Sequence, residues 1–216
     1  MLAFSSLLGN VEGQNIYRIW YDKPASYWEE ALPVGNGRIA AMVFGDPQLE
    51  QIQLNEETVS AGSPYQNYNE EAKAALPEMR RLIFEGKYEE AQNMAATKIL
   101  SQVGNEMPYQ TVGRLNIRYQ DHKKVNNYYR DLDISNAVAV TRYEVDGVEF
   151  TEETFASFTD QLVIRHIKAS KPGTINCELF FNTPMRDPKR SIYGKKGLRL
   201  EGITYGSRYF PGKVHY

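Results

Sequence analysis

At 216 residues, 42% of them hydrophobic and 24% charged, the chain can bury one large β core or two small ones, and its composition is that of a globular protein. A formal net charge of −2 supplies no basic field, which argues against nucleic acid and anionic lipid as partners, and no apolar run is long enough to span a bilayer as a helix. The single cysteine, Cys177, excludes an internal disulfide framework.

Tyrosine is over-used, at 15 residues beside 2 tryptophans. Sheet packing accounts for that usage, and stacking on sugar rings is the functional alternative.

Residues 1–15 begin Met1-Leu2-Ala3-Phe4-Ser5-Ser6-Leu7-Leu8, apolar and small but without the positive start of a complete signal peptide. They read as a leader: either the remnant of a signal peptide, implying a periplasmic or extracellular protein, or a disordered lead-in. From residue 16 to 216 the chain reads as one β domain. Residues 16–21, aromatic and β-branched, predict a strand. Residues 31–37, with Pro33, Gly35 and Gly37, read as a turn-rich link. Residues 38–45 and 49–54 predict two further strands around an Asp46-Pro47 turn, so that the three strands form an antiparallel hairpin or meander.

The texture changes at Asn69, which can cap a helix opening at Glu70. Ala72, Ala75 and Leu76 share its face, and Pro77 is expected to end it and start a second helix. Met79, Leu82 and Ile83 line the second helix, and Gly86 can terminate it. A third stretch runs over 88–100 with Ala91, Met94, Ala95 and Ile99 on one side. Residues 69–100 are therefore a helical insertion in a β domain.

Strands return at 116–119 and at 137–145, where Ala139, Thr141, Tyr143 and Val145 alternate onto one face. Asp146-Gly147 then predicts a tight hairpin into 148–150. Residues 161–168, 174–181 and 198–200 complete the strands, and Cys177 falls inside one of them as a structural thiol. Leu132 and Ile134 alternate with Asp131 and Asp133, which places the two acids on a solvent face. The final Phe210-Pro211-Gly212-Lys213-Val214-His215-Tyr216 reads as a turn into a new strand, so the domain is expected to continue in a longer protein.

Chemical motifs are few. Gly35-Asn36-Gly37-Arg38-Ile39-Ala40 spells a dinucleotide fingerprint, but a strand follows it where a helix is needed. Asp131-Leu132-Asp133 opens like a calcium loop, yet Asn136 and Arg142 stand where glycine and glutamate are required. His122, His166 and His215 lack zinc-ligand spacing, so no metal and no cofactor is expected. Glycoside hydrolysis needs two carboxyl groups across the scissile bond, and no pair here, Glu56-Glu57 included, is marked for that role.

Two adjacent stretches carry a resemblance. Trp28-Glu29-Glu30-Ala31-Leu32-Pro33-Val34-Gly35-Asn36-Gly37-Arg38-Ile39-Ala40-Ala41-Met42-Val43-Phe44-Gly45, followed by Gln51-Ile52-Gln53-Leu54-Asn55-Glu56-Glu57-Thr58, resembles the start of glycoside hydrolase family 95, the inverting α-L-fucosidases. The segments Ala75–Tyr88, Pro108–Leu115, Tyr129–Asp133 and Phe155–Ser157 fit in the same order, so the resemblance covers roughly residues 16–205. One departure is that Val59-Ser60-Ala61-Gly62 stands where the family has Leu-Trp-Ser-Gly.

The resemblance implies a large antiparallel β-sandwich (a supersandwich), joined in the whole enzyme to an (α/α)6 barrel that holds the catalytic residues. No catalytic residue maps onto this chain. The implied partners are a fucosylated glycan, reached through the full-length enzyme, and the barrel itself. Asn36, Arg38, Asn55, Glu56, Glu57 and Tyr65 are candidates for a domain-interface or substrate-proximal site, being polar groups that bracket apolar strands. Two alternatives stay open: an autonomous carbohydrate-binding module using Tyr65, Tyr68, Tyr128 and Tyr129, and a parent enzyme acting on α-L-galactosides.

Overall fold

The computed structural model describes residues 17–61, 68–101, 108–206 and 212–215; the leader and Tyr65 lie outside them. The chain forms two compact units, residues 1–56 with 113–182 and residues 57–112 with 183–216.

The first unit is the β-sandwich. Its strands are β1 (Arg18–Tyr21), β2 (Leu32–Gly35), β3 (Ile39–Val43), β4 (Leu49–Glu56), β5 (Gly113–Tyr119), β6 (Asn126–Asp133), β7 (Val138–Val145), β8 (Val148–Ser157), β9 (Leu162–Ala169) and β10 (Cys177–Asn182). They pair antiparallel in two five-stranded sheets, one ordered β1-β6-β7-β8-β9 and the other β10-β5-β4-β3-β2. Alternation explains the layering. Leu32, Val34, Ala41, Val43, Ile52 and Ile117 of the second sheet meet Leu132 and Ala139 of the first in one buried core. Each of the leucine, valine and isoleucine side chains contributes about 1.5–3 kcal/mol by leaving water. Tyr143, Val145, Val148 and Phe150 form a second cluster beside the β7–β8 hairpin. Asp146 and Gly147 both take positive φ, 48° and 72°, as a two-residue hairpin loop requires.

Three expectations change here. The residues read as a link, 31–37, contain strand β2; Pro33 is tolerated because β2 is the edge of its sheet. β1 does not join the β2–β4 meander but pairs with β6 in the other sheet, Arg18 opposite Asp133. The segment between β1 and β2 crosses sheets, and Arg130 holds it by donating Nε–H to the Lys23 carbonyl (2.8 Å) and Nη1–H to the Glu30 carbonyl (2.7 Å). Asp131 and Asp133 are buried rather than solvated, because Arg18 from β1 lies over them and ion-pairs with both.

The second unit, described by itself, holds helix α1 (Ala72–Phe84), helix α2 (Tyr88–Met94), a π-helical turn at Ala95–Ile99 and a hairpin of β11 (Arg186–Tyr193) with β12 (Gly197–Ile203). Asn69 does prepare the first helix, its Oδ1 accepting the Glu71 N–H at 3.0 Å, but regular helix begins at Ala72. Pro77 does not divide α1. It removes one backbone hydrogen bond, while Leu82, the buried residue of α1, holds the following turn. Ile83 is 40% exposed instead of lining the apolar side. His215 forms an isolated antiparallel bridge with Ile203.

Candidate functional site

Most of the predicted polar residues gather at one end of the second sheet. The turn between β2 and β3 is built by Asn36: its Oδ1 accepts the backbone N–H groups of Arg38 (3.1 Å) and Ile39 (3.0 Å), and its Nδ2 donates to the Ser157 carbonyl on β8 (2.8 Å). Asn36 thus ties one sheet to the other. Register sets Ile39 opposite Glu56 and Ala40 opposite Asn55. Arg38 therefore reaches Glu56, Nε to Oε1 at 3.0 Å, in an exposed ion pair. Asn55 is different: its Oδ1 is buried and without a hydrogen-bond partner. The chain leaves this unit after Glu56, re-enters at Gly113 opposite Leu54, and leaves again after Asn182 opposite Arg114. Glu57, the first residue of the second unit, is exposed.

The strongest electrostatics lie elsewhere, between the sheets. Arg165 of β9 donates to Thr154 Oγ1 (2.7 Å), to Glu50 Oε2 of β4 (2.6 Å) and to Glu152 Oε2 of β8. All three charged side chains are at most 7% exposed. Glu50 Oε1 also accepts the backbone N–H groups of Phe44, Gly45 and Gln51. Glu152 Oε1 accepts the hydroxyls of Tyr119 and Tyr143, each at 2.6 Å. Both hydroxyls are held far above the usual tyrosine range, first by burial.

His122 caps the cluster. It lies parallel to Tyr119 at 4.4 Å between ring centroids, and its Nδ1 sits 2.9 Å from the Pro47 carbonyl, which makes Nδ1 the protonated nitrogen. Burial pushes the His122 pKa down. These carboxylates cannot serve as acid and base for a substrate, because they are closed from solvent and their oxygens are committed to internal donors. They bolt the two sheets together.

Arg130 is a second buried cation. It stacks on Tyr21 at 4.1 Å and binds carbonyls only. Burial lowers its pKa first of all. Tyr128, one of the candidate sugar-stacking residues, is used internally: its hydroxyl donates to the Gly45 carbonyl at 2.6 Å, and burial raises its pKa. Cys177 is half-buried against the core, and burial raises its thiol pKa. Among the described residues, no group of three or more His, Cys, Asp or Glu could hold a metal, and no helix is long and apolar enough to cross a membrane.

Sequence reasoning missed the Glu50–Arg165–Glu152 cluster, although a signal existed. Glu50 shares a face with Ile52 and Leu54, Glu152 with Phe150, and Arg165 with Val163 and Ile167. A charge on the apolar face of three separate strands marks a buried ion cluster.

Comparison with known proteins decides the kinship of this sandwich. A family model described as Glycosyl hydrolase family 65, N-terminal domain, matches residues 19–213. The chain belongs to that family. Alpha-L-fucosidase 2 of Arabidopsis thaliana is 37% identical over 181 residues, covering 81% of this chain and 21% of the relative. Probable alpha-fucosidase A of Aspergillus niger is 28% identical over 200 residues, covering 87% of this chain and 24% of the relative. Probable alpha-fucosidase A of Aspergillus oryzae is 25% identical over 211 residues, covering 92% of this chain and 28% of the relative. The chain thus spans between a fifth and a third of the length of these curated relatives. The resemblance carried by the Trp28–Gly45 and Gln51–Thr58 motifs holds, since the matching domain is N-terminal and the relatives are α-fucosidases.

Proposed function

We propose that this chain is the N-terminal β domain of a family 95 glycoside hydrolase that removes terminal α-L-fucose from glycans with inversion. Its task is to support and dock a catalytic barrel, and it is inactive alone. One observation carries the reading: a match to an N-terminal glycosyl hydrolase domain over residues 19–213, on a chain spanning 21% to 28% of relatives named α-fucosidases. The closed state of Glu50 and Glu152 supports it, because both carboxylates are buried and committed to internal donors.

Docking is assigned to the end of the second sheet that carries Arg38, Asn55 and Glu56. Asn55 Oδ1, buried without a donor, supports this assignment, since a neighbouring domain can supply one. Asn36 contributes by shaping the turn that presents Arg38. The apolar, small-residue run over residues 1–8 supports a periplasmic or extracellular location.

The test compares this 216-residue chain with the longer protein on an aryl α-L-fucoside, with proton NMR of the released sugar. Release of β-L-fucose by the longer protein alone supports the proposal. Turnover by this chain alone, retention of configuration, or preference for the α-L-galactoside would each refute a stated part of it. Arg38→Ala in the longer protein is expected to lower its thermal midpoint more than it lowers that of this chain. Equal effects would count against the docking assignment.

A further inference from the structure

The outer face of the first sheet carries an aromatic pair that the core does not use. Register sets Trp20 of β1 opposite Asp131 of β6, so both leave the sheet on the side away from the core residue Leu132. Trp20 is 61% exposed. Tyr129, two residues before Asp131 and so on the same side, lies nearly parallel to it, with centroids 6.3 Å apart and 20° between the planes. The stacked pair leaves the indole open to solvent on that face.

Polar groups flank that pair. Arg18, opposite Asp133 in the register, ion-pairs with Asp131 and Asp133 while its side chain stays 34% exposed. Arg142 stands opposite Tyr129 on β7, exposed. Asp131 is fully buried, yet its Oδ1 has no hydrogen-bond partner. An unmet carboxylate oxygen beside a solvent-facing guanidinium is an incomplete polar network, and native proteins leave few of these without a reason.

We propose that Trp20, Tyr129 and Arg18 form a saccharide-binding platform. A pyranose presents an apolar face of C–H groups and a rim of hydroxyls that both donate and accept. The exposed indole, stacked on the phenol, supplies the matching apolar surface. Arg18, held by Asp131 and Asp133 behind it, supplies planar N–H donors that fix orientation beside an apolar base. A net charge of −2 fits a neutral oligosaccharide better than a polyanion. The inference rests on this face and not on the fucosidase reading.

The test uses this full chain with Trp28→Phe, which leaves Trp20 as the single indole of the two tryptophans. The probes are L-fucose, a fucosylated oligosaccharide and the same oligosaccharide without fucose. A saturable change in Trp20 emission, with a shift of its indole N–H resonance, is expected with at least one of them at millimolar concentration. Calorimetry on Trp20→Ala is expected to show affinity weakened by roughly tenfold or more, about one aromatic contact. Trp28→Phe is expected to bind as the parent does. Trp20 is exposed, so Trp20→Ala should keep the parent's circular dichroism; should it not, the indole resonance of the Trp28→Phe chain decides instead. No saturable response to any of the three sugars, or unchanged affinity in folded Trp20→Ala, overturns the proposal. Binding is read without turnover, so failure here and failure of the fucosidase proposal are separate results.

Discussion

Arg165→Met removes the cation that joins the two sheets, and its cost follows from what remains. Glu50 keeps three backbone donors on Oε1, and Glu152 keeps two tyrosine hydroxyls on its own Oε1. The Oε2 atoms of both lose the guanidinium, at side-chain exposures of 0% and 1%. Removing one partner from a buried ion pair costs about 3–5 kcal/mol, because a charge is left in low dielectric. Methionine fills much of the stem volume, so a cavity adds little. That loss is on the order of a third to a half of the stability of an ordinary domain. Both tryptophans lie in the first unit, so their fluorescence follows the sandwich in a urea titration. With a urea slope of about 2 kcal/mol per molar, the midpoint is expected to fall by roughly 2 M. The double variant Arg165→Met with Glu152→Gln should recover part of the loss, since one stranded charge is gone. A midpoint shift below about 0.5 M, or no recovery in the double variant, would refute the view that this cluster holds the sheets together.

Other expectations follow from single residues. Gly45 has φ +74°, and a Cβ there would meet the Tyr128 hydroxyl at 2.8 Å and Arg130 Cδ at 2.9 Å. Gly45→Ala should therefore cost about 2–4 kcal/mol in the same titration. Burial holds the His122 pKa below its ordinary 6.5, so the unfolded chain takes up a proton that the folded chain refuses. Its contribution is complete above pH 6.5 and is lost as pH falls through the folded value. His122→Gln should accordingly show a shallower loss of stability below pH 6.5 than the parent, measured by urea midpoints across a pH series. Asn36→Ala removes two accepted hydrogen bonds and one donated to Ser157, and should cost about 1–2 kcal/mol without changing the circular dichroism.

Local rules made much of the sandwich legible. The Asp146-Gly147 hairpin, the inward set Ala139, Thr141, Tyr143 and Val145, and the helical face Ala91, Met94, Ala95 and Ile99 all rest on period and turn chemistry, and all are present. What escaped depends on partners distant in sequence. β11 is exposed along its whole length and contains Pro188, so no alternation betrays it. β8 runs to Ser157, well past the apolar Val148–Phe150 run, because Glu152 inside it is neutralised by a residue 13 positions away. Asp131 and Asp133 read as solvated because the arginine that covers them is 113 and 115 residues distant. At the candidate site, Arg38 and Glu56 were recognisable as polar residues beside apolar strands, and β3–β4 register turned them into a pair. The structural duty of Asn36 was invisible, since its partner Ser157 belongs to the other sheet.

The measurement that bears most directly on the account is fucose release by this chain and by the longer protein, at equal molar concentration on one α-L-fucoside. The account predicts sugar release with inverted configuration from the longer protein and none above buffer from this chain. Release by this chain alone, or an inactive longer protein whose fold is intact, would contradict it.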